Sequence, residues 1–115
     1  MTRVAAVDCG TNTIKLLVAD LDPSTGSEHE LVREMRMVRL GQDVDRTGRL
    51  ADAALARAFA AIDEYAAIVA AHDVEKIRFC ATSAARDASN AGVFAAGVQA
   101  RLGVAPEVVS GAEEA

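Results

Sequence analysis

The stretch VDCGTNTIKLLVAD, Val7 to Asp20, decides the fold. Two apolar runs, Val4–Val7 and Ile14–Ala19, flank a polar tip, Asp8-Cys9-Gly10-Thr11-Asn12-Thr13. The runs read as strands and the tip as the turn of a hairpin. Gly10 lets the backbone approach a ligand closely. The amides of Cys9–Thr13 and the hydroxyls of Thr11 and Thr13 are suited to line an anion-binding concavity. Asp8 is the wrong charge for an anion unless a hard divalent cation such as Mg²⁺ lies between them, held by carboxylate and water. The alternative is a tight turn whose Asp and Asn satisfy their own backbone.

Outward from the tip, Asp22-Pro23-Ser24-Thr25-Gly26-Ser27 is a turn signal. His29–Leu40 alternates imperfectly, with Leu31, Arg33, Met35, Met37 and Arg39 on one face, and reads as an edge strand. Leu40–Leu50 is a polar loop. From Asp52 to Ala71 the period changes. Leu55, Phe59, Ile62, Ala66 and Val69 mark one face of a helix, and alanine fills the rest. Lys76–Ala81 is a short strand. The segment from Thr82 to Gly103 is helical in character, in two pieces broken near Ser89–Asn90, with Gly103 as its C-cap. Pro106–Val109 forms a last strand, giving the order β-β-β-α-β-α-β in one domain.

Composition narrows the class. Of 115 residues, 51% are apolar, enough for a packed core. Three Phe, one Tyr and no Trp leave that core to Ala, Val, Leu and Ile. The net charge of −5 argues against nonspecific DNA binding, though a pocket needs only local positive charge. Between residues 33 and 49, Arg33, Arg36, Arg39, Arg46 and Arg49 outnumber Glu34, Asp43 and Asp45. They read either as a positive track or as a solvated edge. No apolar run reaches the ~20 residues that cross a membrane, and the N-terminus lacks the pattern of a signal peptide. Cys9 and Cys80 are too few for a disulfide framework and read as reduced thiols of a cytoplasmic protein, close together at the ends of neighbouring strands.

Two further polar clusters carry chemistry. ATSAARDASN (Ala81–Asn90) follows a strand and opens a helix. Free amides at a helix start favour anions. Thr82 or Ser83 is placed to cap, and Arg86 one turn in offers a planar fork to phosphate. An ordinary cap with a solvated arginine is the alternative. The chain ends at SGAEEA, directly after a strand, as a piece of a longer protein would. Its Glu113 and Glu114 are either a charged surface end or supply one general base. If the later strands run parallel to the first, all three clusters lie beyond the same carboxyl edge, where open α/β sheets bind ligands.

VDCGTNTIKLLVAD, ATSAARDASN and VVSGAEEA together resemble three motifs of the exopolyphosphatase and guanosine pentaphosphate phosphatase family, and LGQDVDRTGRL before the long helix is similar to that family too. The first motif is shared with the wider actin and sugar-kinase superfamily. The resemblance implies a ribonuclease-H-like α/β domain: a five-stranded mixed sheet, three antiparallel strands first, with helices packed around it. It implies the first of two domains, with a phosphoanhydride chain in the cleft between them. The implied activity is Mg²⁺-assisted hydrolysis of the terminal phosphate of inorganic polyphosphate or guanosine pentaphosphate. By position, Gly10, Thr11, Asn12, Thr13, Thr82 and Ser83 would hold phosphate, and Asp8 would sit near the metal through water. Arg86 would meet the phosphoryl group and Glu114 would activate the attacking water. The resemblance also admits a homodimer of the full-length protein. Two departures stand out: Cys9 replaces an apolar residue, and Ala51 replaces a serine that caps the long helix. With the second phosphate loop absent, the fragment alone is expected to hydrolyse little. Three rivals are a polyphosphate-binding regulator without turnover, a kinase of the same superfamily, and an assembly domain.

Overall fold

The computed structural model describes residues 2–41, 44–81 and 88–108. Strands β1 (Thr2–Cys9), β2 (Thr13–Asp22) and β3 (Ser27–Met37) form an antiparallel meander. A single helical turn, α1 (Val44–Thr47), precedes the long helix α2 (Asp52–Ala71). Strand β4 (Lys76–Ala81), helix α3 (Ala91–Leu102) and a two-residue strand β5 (Glu107–Val108) complete the order. The sheet has five strands, ordered β3-β2-β1-β4-β5. β4 runs parallel to β1, and β5 parallel to β4. This is the mixed α/β sheet that the sequence implies.

Topology explains why α2 and α3 share a face. The crossover from β3 to β4 and that from β4 to β5 move in the same direction across the sheet. Crossovers of one hand that move the same way place their helices on the same side. Ala5, Val7 and Cys9 of β1, Ile14, Leu16 and Val18 of β2, and Phe79 and Ala81 of β4 are buried on that side. Phe94 of α3 meets Phe79 edge-on at 6.0 Å. Tyr65 of α2 is fully buried, and its hydroxyl donates to the Ile14 carbonyl at 2.7 Å. Ala6, Asp8, Lys15, Arg33 and Met35 are exposed on the opposite side.

Several boundaries differ from the sequence reading. β1 and β2 extend beyond Val4–Val7 and Ile14–Ala19 because ladder pairing continues through half-exposed residues, from Thr2–Leu21 to Cys9–Ile14. β3 runs Ser27–Met37 rather than His29–Leu40, since Arg39 turns at φ 52° while Val38 and Leu40 bury. A bulge at Val18/Ala19 pairs Val18 with Val32 and Ala19 with Glu30. Leu31 is therefore the extra residue, which takes it out of the expected row. Arg33, Met35 and Met37 point to the uncovered side, and Val32, Glu34 and Arg36 toward α2. β3 is the edge strand, as its mixed composition indicates, and its charged residues protect that edge from pairing. Cys9 and Cys80 do lie on adjacent strands. However, Asp8 is the partner of Cys80 and Ala81 that of Cys9, so the two thiols face opposite sides of the sheet.

Of the helical segment expected over Thr82–Gly103, the second piece is α3, while residues 82–87 of the first lie outside the described residues; α1 is one helical turn within the expected loop Leu40–Leu50. α2 has the expected bounds. Phe59 is only half-buried because it packs sideways on α3, stacked on Phe94 at 6.1 Å, with Arg101 over its ring at 4.3 Å. Gly103 caps α3 in the left-handed conformation, φ 76°, and its amide reaches the Gln99 carbonyl. No helix among the described residues is long and apolar enough to cross a membrane.

Two predictions concern this packing. A Cβ at Gly97 would lie 2.4 Å from the Phe59 ring, whereas one at Gly92 meets nothing within 4 Å. In urea melts, Gly92→Ala raises stability by about 0.5–1 kcal/mol, the helix-propensity gain. Gly97→Ala lowers it, because overpacking of about 1–3 kcal/mol outweighs that gain. Separately, Ala51 sits at the α2 N-cap with extended backbone and makes no side-chain cap bond. Ala51→Ser should stabilise by about 0.5–2 kcal/mol in the same melts.

Candidate functional site

The hairpin tip is held from one side. The Gly10 amide donates to the Thr13 carbonyl at 2.8 Å and closes the turn. The Thr11 carbonyl accepts from the Gly41 amide, and the Asn12 carbonyl from both Val38 and Arg39, each at 2.8 Å. Every peptide among the described residues is trans. In a trans peptide the N–H points away from the carbonyl. The Asn12 and Thr13 amides are thereby turned away from the segment 38–41. No backbone carbonyl among the described residues receives the Thr11 or Asn12 amide. The Asn12 amide is thus both free and turned outward, and outward-turned free amides are what an anion-binding concavity is built from. The Gly10 amide, by contrast, is already engaged.

Gly10 has no positive φ, and a Cβ there would make ordinary contact with Thr13 atoms at 3.6 and 3.8 Å. Packing within the chain does not demand glycine at this position. Thr11 and Asn12 are exposed, and Thr13 is half-exposed. Cys9, beneath the tip, is fully buried, and its thiol approaches the Gly10 carbonyl at 3.7 Å. Burial, with the Asp8 charge beside it, pushes the thiol up to about 12. Cys9 thus behaves as the apolar core residue it replaces.

Asp8 is the penultimate residue of β1, on the side of the sheet away from α2 and α3, exposed, opposite Lys15 and Cys80. A groove on that side is lined by Ala6, Asp8, Lys15, Leu17, Arg33 and Met35. No group of three or more metal-ligating side chains occurs among the described residues. A single exposed carboxylate fits Mg²⁺, which keeps most of its waters and takes one or two carboxylates beside substrate phosphates.

The other predicted residues follow the ends of β4 and β5. Cys9 pairs in register with Ala81, and Ala81 with Val108. Adjacent strands lie ~4.8 Å apart, so these three strand ends span roughly 10 Å along one rim. Thr82, Ser83 and Arg86 come after Ala81, and Glu113 and Glu114 after Val108; all five lie outside the described residues. Asn90 secures the start of α3. Its side-chain oxygen accepts from the Leu50 amide at 2.8 Å, and its nitrogen donates to the Leu50 carbonyl at 3.0 Å.

The arginine-rich stretch is a solvated, ion-paired edge. Arg33 pairs with Glu30, Arg36 with Glu34 and Glu64, and Arg49 with Asp52. Sequence reasoning passed over Gly41, Arg57, Tyr65 and Asn90. The signals for Tyr65 and Asn90 were present: one lone tyrosine on the apolar face of a helix, and an amide at a helix start. Their long-range partners, Ile14 and Leu50, were not legible.

A ribonuclease-H-like sheet with a polar hairpin at its carboxyl rim defines a domain of the actin and sugar-kinase class. Within that class the match is narrower. The model of the Ppx/GppA phosphatase family matches residues 18–115, and the chain belongs to that family. It is 50% identical to exopolyphosphatase 2 of Mycobacterium tuberculosis over 122 aligned positions, covering all of this chain and 38% of that relative. It thus spans well under half the length of that curated relative. A crystal structure of an exopolyphosphatase-like protein superposes with a TM-score of 0.91 at 49% identity, covering 98% of this chain and 34% of that one. A Ppx/GppA family member from Aquifex aeolicus superposes with a TM-score of 0.89 at 29% identity, covering 98% and 36%.

The burial of Cys9 has a measurable consequence. Its folded-state pKa lies above the ordinary thiol value of 9, so the folded protein holds the proton more tightly than the unfolded chain. Stability from this group is full below pH 9 and is lost as pH rises from about 9 to about 12. Native protein at pH 8 should leave Cys9 unmodified by iodoacetamide, and denatured protein should not, as peptide mass mapping would read.

Proposed function

We propose that this chain is the first domain of a two-domain exopolyphosphatase-type phosphohydrolase of the cytoplasm. Its substrate is inorganic polyphosphate or, alternatively, guanosine pentaphosphate. The observation that carries this reading is the register of Cys9, Ala81 and Val108. It brings the chain to one rim immediately before each of the three polar motifs. The exopolyphosphatase relative at 50% identity supports the substrate class.

In this reading the Thr11, Asn12 and Thr13 amides and the two threonine hydroxyls take phosphate oxygens, with Thr82 and Ser83 beside them. Gly10 leaves space for the chain to approach. Asp8 would hold Mg²⁺, which would supply charge neutralisation at the phosphates. Arg86 orients the terminal phosphoryl group with its planar fork. Glu114 takes a proton from the attacking water. The water oxygen bonds to the terminal phosphorus, the bridging P–O bond breaks, and the shortened chain leaves with the bridging oxygen. Phosphoryl transfer asks mainly for positioning and charge neutralisation, which suits a site of backbone amides, one arginine and an ion.

The test is phosphate release from polyphosphate by the full-length protein and by its Glu114→Ala variant, with Mg²⁺ present. The variant should lose about 10²–10⁴ in rate while its melting temperature holds. The isolated 115-residue chain should release little or no phosphate. A full-length Glu114→Ala protein as active as its parent would remove Glu114 from the reaction.

A further inference from the structure

We propose that Gly41 and Arg57 are positioning residues that aim the hairpin-tip amides at the substrate phosphates. The inference rests on the phosphate reading of the tip and adds the groups that set its direction. Gly41 touches the tip twice. Its amide donates to the Thr11 carbonyl at 2.8 Å, and a Cβ at Gly41 would stand 2.4 Å from Thr11 Cγ2. Gly41 is not at positive φ, so glycine serves here for space and not for backbone freedom.

Arg57 acts one step further back. From α2 its Nε donates to the Val38 carbonyl at 2.8 Å. The Val38 amide in turn donates to the Asn12 carbonyl. Val38 and Leu40 are buried at 1% and 0% exposure, and Arg39 between them adopts φ 52° so that its amide also reaches Asn12. The segment 38–41 is therefore a short strap, fixed to the core by two side chains and to α2 by one arginine. It holds the Thr11 and Asn12 carbonyls. Because these peptides are trans, holding the carbonyls sets where the Asn12 and Thr13 amides point.

A methyl group at Gly41 meets the Thr11 methyl, so the Thr11 side chain must turn or its peptide must tilt, and either movement displaces a group that faces the phosphate. Small misplacement of a positioning group costs up to about a hundredfold. Thr11→Ser removes the clashing methyl while keeping the hydroxyl and amide, so the effect of Gly41→Ala should depend on which residue stands at 11.

Calorimetric titration of the full-length protein with sodium tripolyphosphate tests this, with melting curves to count the folded fraction. Gly41→Ala should bind about ten- to hundredfold more weakly. The same change made in a Thr11→Ser background should cost no more than about threefold, since contacting residues are not additive. Arg57→Met should bind about three- to tenfold more weakly through loss of one hydrogen bond. Binding by Gly41→Ala within twofold of its parent, or an equal cost in both backgrounds, overturns the proposal. A lowered melting temperature with unchanged affinity of the folded protein overturns it as well. If Gly41→Ala does not fold, Arg57→Met decides: unchanged affinity is contrary, weakened affinity supportive. A parent protein that binds no tripolyphosphate overturns the phosphate reading itself, a result separate from any outcome among the variants.

Discussion

Parallel pairing of β1 with β4 is the constraint on which the rest of the molecule depends. Val7 lies opposite Phe79 and Cys9 opposite Ala81, with both pairs buried beneath α2 and α3. A parallel pair cannot be closed by a tight turn and needs a long crossover. The chain reaches β4 from the far edge strand β3, and α2 spans that crossover, its apolar stripe covering the strands it passes over. The same pairing fixes the direction of β4, and through it that of β5. Three strands then end together, and whatever follows them starts from one rim. Reversing β4 would move the segment after Ala81 to the far end of the sheet and leave the hairpin tip alone.

The tip is rigid because other elements hold it. Tyr65 reaches the Ile14 carbonyl from α2, just after the turn, and the strap 38–41 holds the Thr11 and Asn12 carbonyls. α2 is the shared support, since Tyr65 and Arg57 both project from it. A helix twenty residues long makes a stable platform for a two-residue tip. Sites mounted on such elements hold their geometry better than sites carried by loops alone. The link runs from apolar periodicity to helix, from helix to two hydrogen bonds, and from these to the direction of free amides. That direction is what an anion would meet.

Much of this was legible in the residues, for stated reasons. The 3.6-residue period over Asp52–Ala71 and the left-handed cap at Gly103 are local signals, and both held. The weak N-cap at Ala51 followed from the family resemblance, in which a serine caps the long helix, and Ala51 makes no side-chain cap bond. Strand ends were less legible, because ladder pairing extends through polar residues such as Thr2 and Asp22 that carry no apolar signal. The bulge at Leu31 has no local signature, and it took Leu31 out of the row that Arg33, Met35 and Met37 keep. The opposed thiols of Cys9 and Cys80 followed from register, which spacing alone does not give. At the rim, residue types pointed to the tip, yet the strap that orients it depends on a contact between positions thirty residues apart, Thr11 and Gly41.

In the proposed function an extended phosphate chain docks on the amides of the hairpin tip and not on the open groove beside Asp8. Amide chemical-shift mapping of the full-length protein, titrated with tripolyphosphate in the presence of Mg²⁺, measures this directly. Docking at the tip should give the largest shifts at Thr11, Asn12 and Thr13, with Leu17, Arg33 and Met35 nearly still. Largest shifts at Leu17, Arg33 and Met35, with a silent tip, would contradict it.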